Sequence, residues 1–134
     1  MTNDIVIDAS ALVEALGSAN PHQPLIHRIL TSRLFAPEVL ILETLSAFAK
    51  HVRRGEMDLE TAGRAVSRLS NLPVARSSHE PFMTRIWELR HSISVYDAAY
   101  IALAEELDAP LVTCDAKLAG SNSHNATIEL YPPS

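Results

Sequence analysis

The chain has 134 residues, of which 47% are apolar and 20% charged, and its formal net charge is −5. This length and balance exclude a disordered protein and predict a single globular domain over residues 1–134. The longest apolar run, residues 98–104, is much shorter than the ~20 residues of a membrane helix, so no membrane contact is expected. An acidic chain is also poorly suited to binding nucleic acid by charge alone.

The N-terminal sequence and the cysteine content indicate a cellular compartment. The first residues contain no basic segment of the kind that opens a signal peptide. Cys114 is the only cysteine, which excludes an intrachain disulfide and favours a reducing environment. We therefore expect a cytoplasmic protein.

Apolar patterning along the chain predicts strands that alternate with helices. Residues 5–7 form a short β-branched run typical of a strand buried on both faces, and a helix over 9–16 should end at Gly17. The later predicted elements are helix 22–33, strand 34–36, a helix from Pro37 to about Arg54, helix 59–69, strand 74–75, helices 80–90 and 96–107, and strands 111–113 and 127–130. This order predicts a three-layer α/β/α sandwich on a mainly parallel sheet.

Several common site chemistries are missing from the sequence. The four glycines form neither a dinucleotide-binding motif nor a phosphate-binding loop. The six histidines show no H-x-x-x-H pair, so a structural zinc site is not expected and the histidines are predicted at the surface. No serine lies in a G-x-S-x-G motif.

Four carboxylates lie in apolar settings: Asp8, Glu43, Asp97 and Asp115. Asp8 and Asp115 each follow an apolar strand, and the carboxyl ends of parallel strands form the binding crevice of such sheets. Several oxygens that converge on one point would suit a hard cation such as Mg²⁺. Three other acids with apolar neighbours are predicted on exposed faces of helices or strands: Glu14, Glu88 and Glu129.

Each of the four carboxylates also has a purely structural interpretation. Asp8 and Asp115 could be N-caps of the helices that follow them. Asp97 could belong to a capping box that begins at Ser94. Glu43 could be an exposed residue opposite an apolar helix stripe, composed of Ile41, Leu45, Phe48, Ala49 and Val52. The spacing alone leaves these alternatives open.

Four segments together resemble a known family. They are Val-Ile-Asp-Ala-Ser-Ala-Leu-Val (6–13), Pro-Glu-Val-Leu-Ile-Leu-Glu (37–43), Tyr-Asp-Ala-Ala-Tyr-Ile-Ala-Leu-Ala (96–104) and Leu-Val-Thr-Cys-Asp-Ala-Lys-Leu (111–118). In this order they resemble the PIN-domain ribonucleases, and within them the VapC-type toxins of bacterial and archaeal toxin–antitoxin pairs. The resemblance extends from Asp4 to about Leu118.

The resemblance implies an endoribonuclease that depends on Mg²⁺, with Mn²⁺ as a substitute. It implies that Asp8, Glu43, Asp97 and Asp115 form the catalytic, metal-binding cluster, and that Ser10 and Thr113 support them. Water would attack the phosphorus and leave a 5′-phosphate and a 3′-hydroxyl. Cys114 replaces a small or polar residue of the family. The segment after Asp115 lacks the additional acid that some members carry, so the resemblance does not decide whether a second metal is bound.

The resemblance also implies partners: an RNA substrate, a second copy of the chain in a homodimer, and a small antitoxin protein whose tail blocks the acidic site, all in a prokaryotic cytoplasm. Apolar segments 25–34 and 59–72 are candidate contact surfaces, or else parts of the core. Lys50 and Arg54, which lie within ~20° of Glu43 on a helix, and Lys117 are candidate phosphate contacts, or else ordinary solvated cations. With 5% aromatic residues, recognition of RNA shape or of an exposed loop is expected rather than base stacking.

Other functions remain open from the residues. A phosphatase of the haloacid dehalogenase type also places an aspartate after its first strand, but it needs a second acid where this chain has Ser10. A PIN-like module that binds RNA or protein without cleaving it, and a metal-dependent DNase, are further alternatives.

Overall fold

Five parallel strands form the sheet in a computed structural model that describes residues 3–133. The strands are β1 (Asp4–Ile7), β2 (Arg33–Pro37), β3 (Val74–Ser77), β4 (Leu111–Thr113) and β5 (Ile128–Leu130). Their order is β3-β2-β1-β4-β5, and every neighbouring pair is parallel. Ile5, Val6 and Ile7 are fully buried, as expected for a central strand covered on both faces.

In the described part of the chain, seven α-helices flank the sheet: α1 (Ala9–Gly17), α2 (Gln23–Leu30), α3 (Val39–Arg53), α4 (Leu59–Asn71), α5 (Met83–Leu89), α6 (Val95–Leu107) and α7 (Ala116–Ala119). Helix α6 packs against β1, β2, β4 and α5, whereas α1 packs against α3, α4 and β4. The predicted α/β sandwich is confirmed, with a sheet that is parallel throughout. Among residues 3–133, no helix has the length and apolar character needed to cross a bilayer.

Helix α6 is the centre of the core. All seven residues from Ala98 to Ala104 are buried, because a helix that is apolar on every side must be surrounded by other elements. Its first turn, which carries Asp97, lies just outside this buried stretch. The apolar run that is too short for a membrane is therefore the central core helix, and it fixes the position of Asp97.

Several element boundaries differ from the prediction. Pro37 ends β2 instead of opening a helix, because it pairs with Ser77 of β3 and the next residue, Glu38, donates its N–H to the Ser77 carbonyl. Helix α2 ends three residues early, since the N–H of Arg33 already donates to the Asn3 carbonyl in the sheet. The segment predicted as one helix over 80–90 begins with a 3-10 turn, Glu80–Phe82, and the short α7 was not predicted.

The strand order places one crevice at the middle of the sheet. From β1 the chain runs outward to β2 and β3 on one side, and it then crosses to β4 and β5 on the other. Ligands of open parallel sheets bind beyond the carboxyl ends of the strands where the order reverses in this way. In this chain that point lies between Asp8 and Asp115.

Candidate active site

The Asp8 carboxylate is the most buried acid at this crevice, with 6% of its surface exposed. Its Oδ1 accepts hydrogen bonds from Ser10 Oγ at 2.7 Å and from the Ala11 N–H at 3.0 Å, and its Oδ2 accepts one from Thr113 Oγ1. Burial raises the pKa of Asp8 to about 6, although these hydrogen bonds act in the opposite direction. Asp8 is therefore an N-cap of α1 and also a charged group held in a poorly solvated position.

Two hydroxyl groups join the ends of β1 and β4. Ser10 and Thr113 each have one hydroxyl hydrogen, and each donates it to Asp8. Each hydroxyl oxygen then accepts a backbone N–H, from Cys114 at 2.9 Å and from Asp115 at 3.0 Å. The two hydroxyls thus orient Asp8 and fix the turn that carries Asp115, consistent with the supporting role predicted for them.

Glu43 reaches the crevice from the first half of α3 and is partly buried. Tyr100, 1% exposed on α6, donates its hydroxyl to Glu43 Oε1 at 2.6 Å. Burial and the neighbouring carboxylates Glu43, Asp8 and Asp97 raise the pKa of the Tyr100 phenol, so it remains a donor. Burial also raises the pKa of Glu43, and the charge of Asp97 adds to this shift.

Asp97 is electrostatically linked to all three other carboxylates. Its charge raises the pKa of Asp8 and of Glu43, and its own pKa is raised by burial and then by Asp115. Its N–H donates to Ser94 Oγ at 3.1 Å, so the predicted cap at Ser94 is present as well. Asp115 caps α7 by accepting the Lys117 N–H at 2.9 Å. Side-chain caps at Asp8, Ser94 and Asp115 are therefore present, and they coexist with repulsion between the carboxylates.

Comparison with known proteins identifies the family of this chain. The model of the family described as PIN domain matches residues 5–120. The chain belongs to the PIN-domain family. Ribonuclease VapC12 of Mycobacterium tuberculosis is 38% identical over 126 residues, which cover 94% of this chain and 98% of that relative. Ribonuclease VapC9 of the same species is 34% identical over 128 residues, which cover 96% of this chain and 98% of the relative.

Solved structures share the fold of this PIN domain. PAE2754 from Pyrobaculum aerophilum superposes with a TM-score of 0.68 and 27% identity, over 96% of this chain and 92% of that one. FitAcB from Neisseria gonorrhoeae gives a TM-score of 0.60 at 15% identity, over 92% of this chain and 95% of that one. At the lower identity the likeness supports the fold alone. The recognised family, and its VapC-type subgroup, agree with the resemblance drawn from the four motifs.

The donor set of this PIN domain fits a divalent cation by its chemistry. Within residues 3–133, no group of three or more His, Cys, Asp or Glu side chains is arranged so that it could hold a metal ion. The four carboxylates nevertheless provide only hard oxygen donors, which Mg²⁺ and Mn²⁺ accept, and each oxygen has lone pairs beyond the hydrogen bonds described. Burial, and then repulsion from Asp115, raises the pKa of Asp97, and a bound cation would offset that repulsion.

The predicted phosphate contacts lie in two places. Lys117 acts on the site, because its positive charge opposes the upward shift in the pKa of Asp97. Lys50 is exposed in the last turn of α3, about 10 Å along the helix from Glu43, and Arg54 is the exposed C-cap. The structure therefore brings Lys117 to the carboxylates and leaves Lys50 and Arg54 on the adjoining surface.

Three sequence predictions for side chains in this PIN domain are wrong. Glu14 is 7% exposed rather than on a free face, because the segment after α1 folds back and the His22 N–H donates to Glu14 Oε2 at 3.0 Å. His79 is partly buried, and its Nε2 accepts the Val39 N–H at 3.2 Å, where α3 begins without a side-chain cap of its own. The buried face of α3 differs from the predicted stripe and consists of Leu40, Thr44 and Phe48.

Tyr100 is the functional residue that sequence reasoning missed. It follows Asp97 by three positions, so the two side chains occupy neighbouring positions on α6. A tyrosine inside an otherwise aliphatic core helix needs a partner for its hydroxyl. That need was the signal available in the sequence.

Proposed function

We propose that the chain is a metal-dependent endoribonuclease that acts as the toxin of a toxin–antitoxin pair. The observation that carries the proposal is the electrostatic influence between Asp97 and each of Asp8, Glu43 and Asp115, with Asp8 and Asp115 following the two strands at the sheet's switch point. The relatives named Ribonuclease VapC12 and Ribonuclease VapC9 support RNA as the substrate.

In this proposal the four carboxylates hold a divalent cation. When bound, a cation of this kind lowers the pKa of a coordinated water and neutralises charge that develops on a phosphate. Asp8 is the most constrained ligand, since Ser10, Ala11 and Thr113 fix both of its oxygens. Tyr100 holds Oε1 of Glu43 through its hydrogen bond, and this contact also restricts the orientation of Oε2. Such preorganisation reduces the rearrangement needed on binding.

The proposed reaction is hydrolysis of an RNA phosphodiester. Water attacks the phosphorus, the bond to the 3′ oxygen breaks, and the products carry a 5′-phosphate and a 3′-hydroxyl. The proposal assigns no histidine as a base, and the partly buried His79 already accepts the Val39 N–H through its Nε2. In this proposal Lys117, whose charge acts on Asp97, contacts a phosphate of the substrate.

The proposed partners are a second copy of the chain and a small antitoxin that covers the acidic crevice. FitAcB is one of the similar structures, and another is described as FitAB bound to a DNA fragment. Of the two segments considered as contact surfaces, Leu25, Ile29 and Leu69 belong to the core. The large apolar side chains that remain exposed there are Leu30 and Leu59, each 77% exposed, and Val66, 40% exposed.

The decisive experiment is a side-by-side digestion of RNA, single-stranded DNA and a phosphomonoester, with Mg²⁺, Mn²⁺ or EDTA. We expect cleavage of RNA with either cation, none in EDTA, and ends that carry a 5′-phosphate. Asp8→Asn should abolish cleavage, whereas Glu106→Gln, the same charge change at an exposed site on α6, should not.

The other outcomes assign the other functions. Turnover of the phosphomonoester alone would indicate a phosphatase, and cleavage of DNA alone would indicate a DNase. Cation-independent cleavage would remove the proposed role of the carboxylates. Binding of RNA without cleavage under every condition would indicate a binding module.

A further inference from the structure

The carboxylates of Asp8 and Glu43 are held to different degrees. Among residues 3–133, the Asp8 carboxylate has three hydrogen-bond donors, whereas the Glu43 carboxylate has one, the Tyr100 hydroxyl at 2.6 Å from Oε1. A glutamate side chain also has more rotational freedom to lose than an aspartate, because it contains one more rotatable bond. The orientation of the Glu43 carboxylate therefore depends on Tyr100.

Tyr100 itself is firmly held. It lies in the buried stretch of α6, residues 98–104, where the packing of the core fixes its ring. Burial raises the pKa of its phenol, and the charges of Glu43, Asp8 and Asp97 add to this shift, so the hydroxyl lies close to three of the four site carboxylates. The donor that orients Glu43 is therefore part of the core and also a neighbour of the site.

A carboxylate with a restricted orientation favours one hard cation over another. Mg²⁺ requires a nearly octahedral arrangement of oxygens at about 2.0–2.1 Å, whereas Ca²⁺ accepts about six to eight oxygens at about 2.3–2.6 Å in flexible arrangements. Ca²⁺ also often binds both oxygens of one carboxylate, so it gains from side chains that can turn toward it. Because the Tyr100 hydroxyl holds Oε1, Glu43 is less free to turn in this way.

We propose that Tyr100 determines the cation preference of the site through Glu43, by favouring Mg²⁺ over Ca²⁺. The inference rests on the proposed metal-dependent function and adds to it the residue that selects the cation. Carboxylate oxygens suit both ions, so the type of donor alone does not distinguish them and the freedom of the donors decides. Tyr100 is a positioning residue in this proposal, because it contacts Glu43 and is not itself a ligand of the cation.

The experiment measures cation binding to the full-length protein in the absence of RNA. The rise in melting temperature with added Mg²⁺, and separately with added Ca²⁺, gives the two dissociation constants at constant ionic strength. Tyr100→Phe keeps the buried ring and removes only the hydroxyl. It should weaken Mg²⁺ binding by about tenfold, as loss of a hydrogen bond to a metal ligand does, and Ca²⁺ binding by less than about threefold. The ratio of the Ca²⁺ to the Mg²⁺ dissociation constant should therefore fall by about threefold or more.

Two further variants separate cation selection from a general structural effect. Tyr131→Phe is the matched control, because the Tyr131 hydroxyl also donates to a glutamate, Glu129 Oε2 at 3.2 Å, but that glutamate is paired with Arg28. This variant should leave the ratio unchanged. In a Glu43→Gln background, adding Tyr100→Phe should change the ratio no further, because Tyr100 acts through the Glu43 carboxylate.

Three results would overturn the role of Tyr100. The first is an unchanged ratio in Tyr100→Phe, with or without an equal loss of affinity for both cations, while the parent binds Mg²⁺; the proposed ribonuclease function would then stand. The second is a further change of the ratio in the Glu43→Gln background, which would mean that Tyr100 acts by another route. The third is a parent that binds neither cation, and in that case the metal dependence of the proposed function fails as well.

Discussion

Helix α6 carries two carboxylates with opposite properties, about 12 Å apart along its axis. Asp97, in the first turn, has its pKa raised by burial and by Asp115. Glu105, in the last turn, has its pKa lowered, chiefly by Arg85, whose Nε and Nη2 each donate to it at 2.8 Å. The Asn125 N–H is a third donor, also at 2.8 Å.

The helix dipole alone would produce the reverse pattern. It favours a negative charge near the first turn, where Asp97 is found, and disfavours one near the last turn, where Glu105 lies. Neighbouring charges and burial therefore outweigh the dipole at both ends. A carboxylate paired with arginine stabilises the fold. Carboxylates grouped with one another repel, and such groups are typical of ligand-binding sites.

The largest expected effect comes from removing the charge of Asp97, which is grouped with the other carboxylates. Asp97→Asn should reduce RNA cleavage by about 10²-fold or more, because it removes one proposed ligand of the cation. In EDTA the variant should be as stable as the parent or more stable by about 1 kcal/mol, because repulsion is relieved. In Mg²⁺ the order should reverse, since the parent gains more from the bound ion.

Melting curves of both proteins in the two buffers, with one RNA digestion, provide the measurement. A variant that is modestly less stable in both buffers and still cleaves RNA would show that Asp97 is only a capping residue.

The pH dependence of stability should expose the next largest difference. Asp8 holds its proton more tightly in the folded chain, with a pKa of about 6. Its unfolded pKa is about 4, so the free energy of unfolding should fall as the pH rises from about 4 to about 6. The fall should approach about 3 kcal/mol, and the raised pKa values of Glu43 and Asp97 act in the same direction.

Urea denaturation of the parent and of Asp8→Asn in EDTA, at several pH values, tests this. The variant should lose most of the slope between pH 4 and pH 6. Identical slopes in the two proteins would mean that Asp8 does not titrate as its burial requires.

Removing the charge of Glu105, which is paired with Arg85, should have a smaller effect, and on stability rather than on cleavage. Glu105→Gln loses the charge-assisted contacts with Arg85 and should destabilise the fold by about 1–2 kcal/mol, equally in EDTA and Mg²⁺. The stabilising contribution of Glu105 is present above its unfolded pKa and is lost as the pH falls below it, opposite in sign to that of Asp8.

The midpoint of urea unfolding measures this change, with exposed Glu106→Gln as the control. RNA cleavage by Glu105→Gln should remain at the parent level. A loss of cleavage in a folded Glu105→Gln protein would contradict the proposal that Asp97 serves the active site and Glu105 only the fold.

The smallest expected effects concern phosphate contacts. Lys117→Ala should reduce the slope of log binding constant against log salt by about one unit, because its charge acts at Asp97. The double variant Lys50→Ala/Arg54→Ala should reduce the slope by about two units at most. Slopes of RNA binding that match the parent would assign the altered side chains to the ordinary solvated surface.

The sequence predicts the strands and most helices well, because their apolar runs are local signals. Where it fails, a partner distant in sequence decides the outcome. Pro37 appears suited to a helix start, but pairing with Ser77 keeps it in β2. The burial of Glu14 likewise depends on the chain returning at His22, which no local pattern shows.

The candidate site likewise contains residues whose proximity the sequence could predict and residues whose proximity it could not. Asp8 and Asp115 could be predicted to meet, since both follow strands of one parallel sheet. Glu43 and its partner Tyr100 are 57 residues apart on different helices, so their contact depends on how α3 and α6 pack. The apolar groove lined by Trp87 and Tyr96 could not be foreseen, because these residues come from separate helices that only the fold brings together.

The bond from Thr113 to Asp8 joins residues 105 positions apart in the chain. During synthesis Asp115 is added about 5–20 seconds after Asp8 at ordinary elongation rates. Throughout that interval the nascent chain carries an incomplete set of carboxylates and no β4 to hold them. The carboxylates that follow β1 and β4 can repel one another only after β4 has joined the sheet.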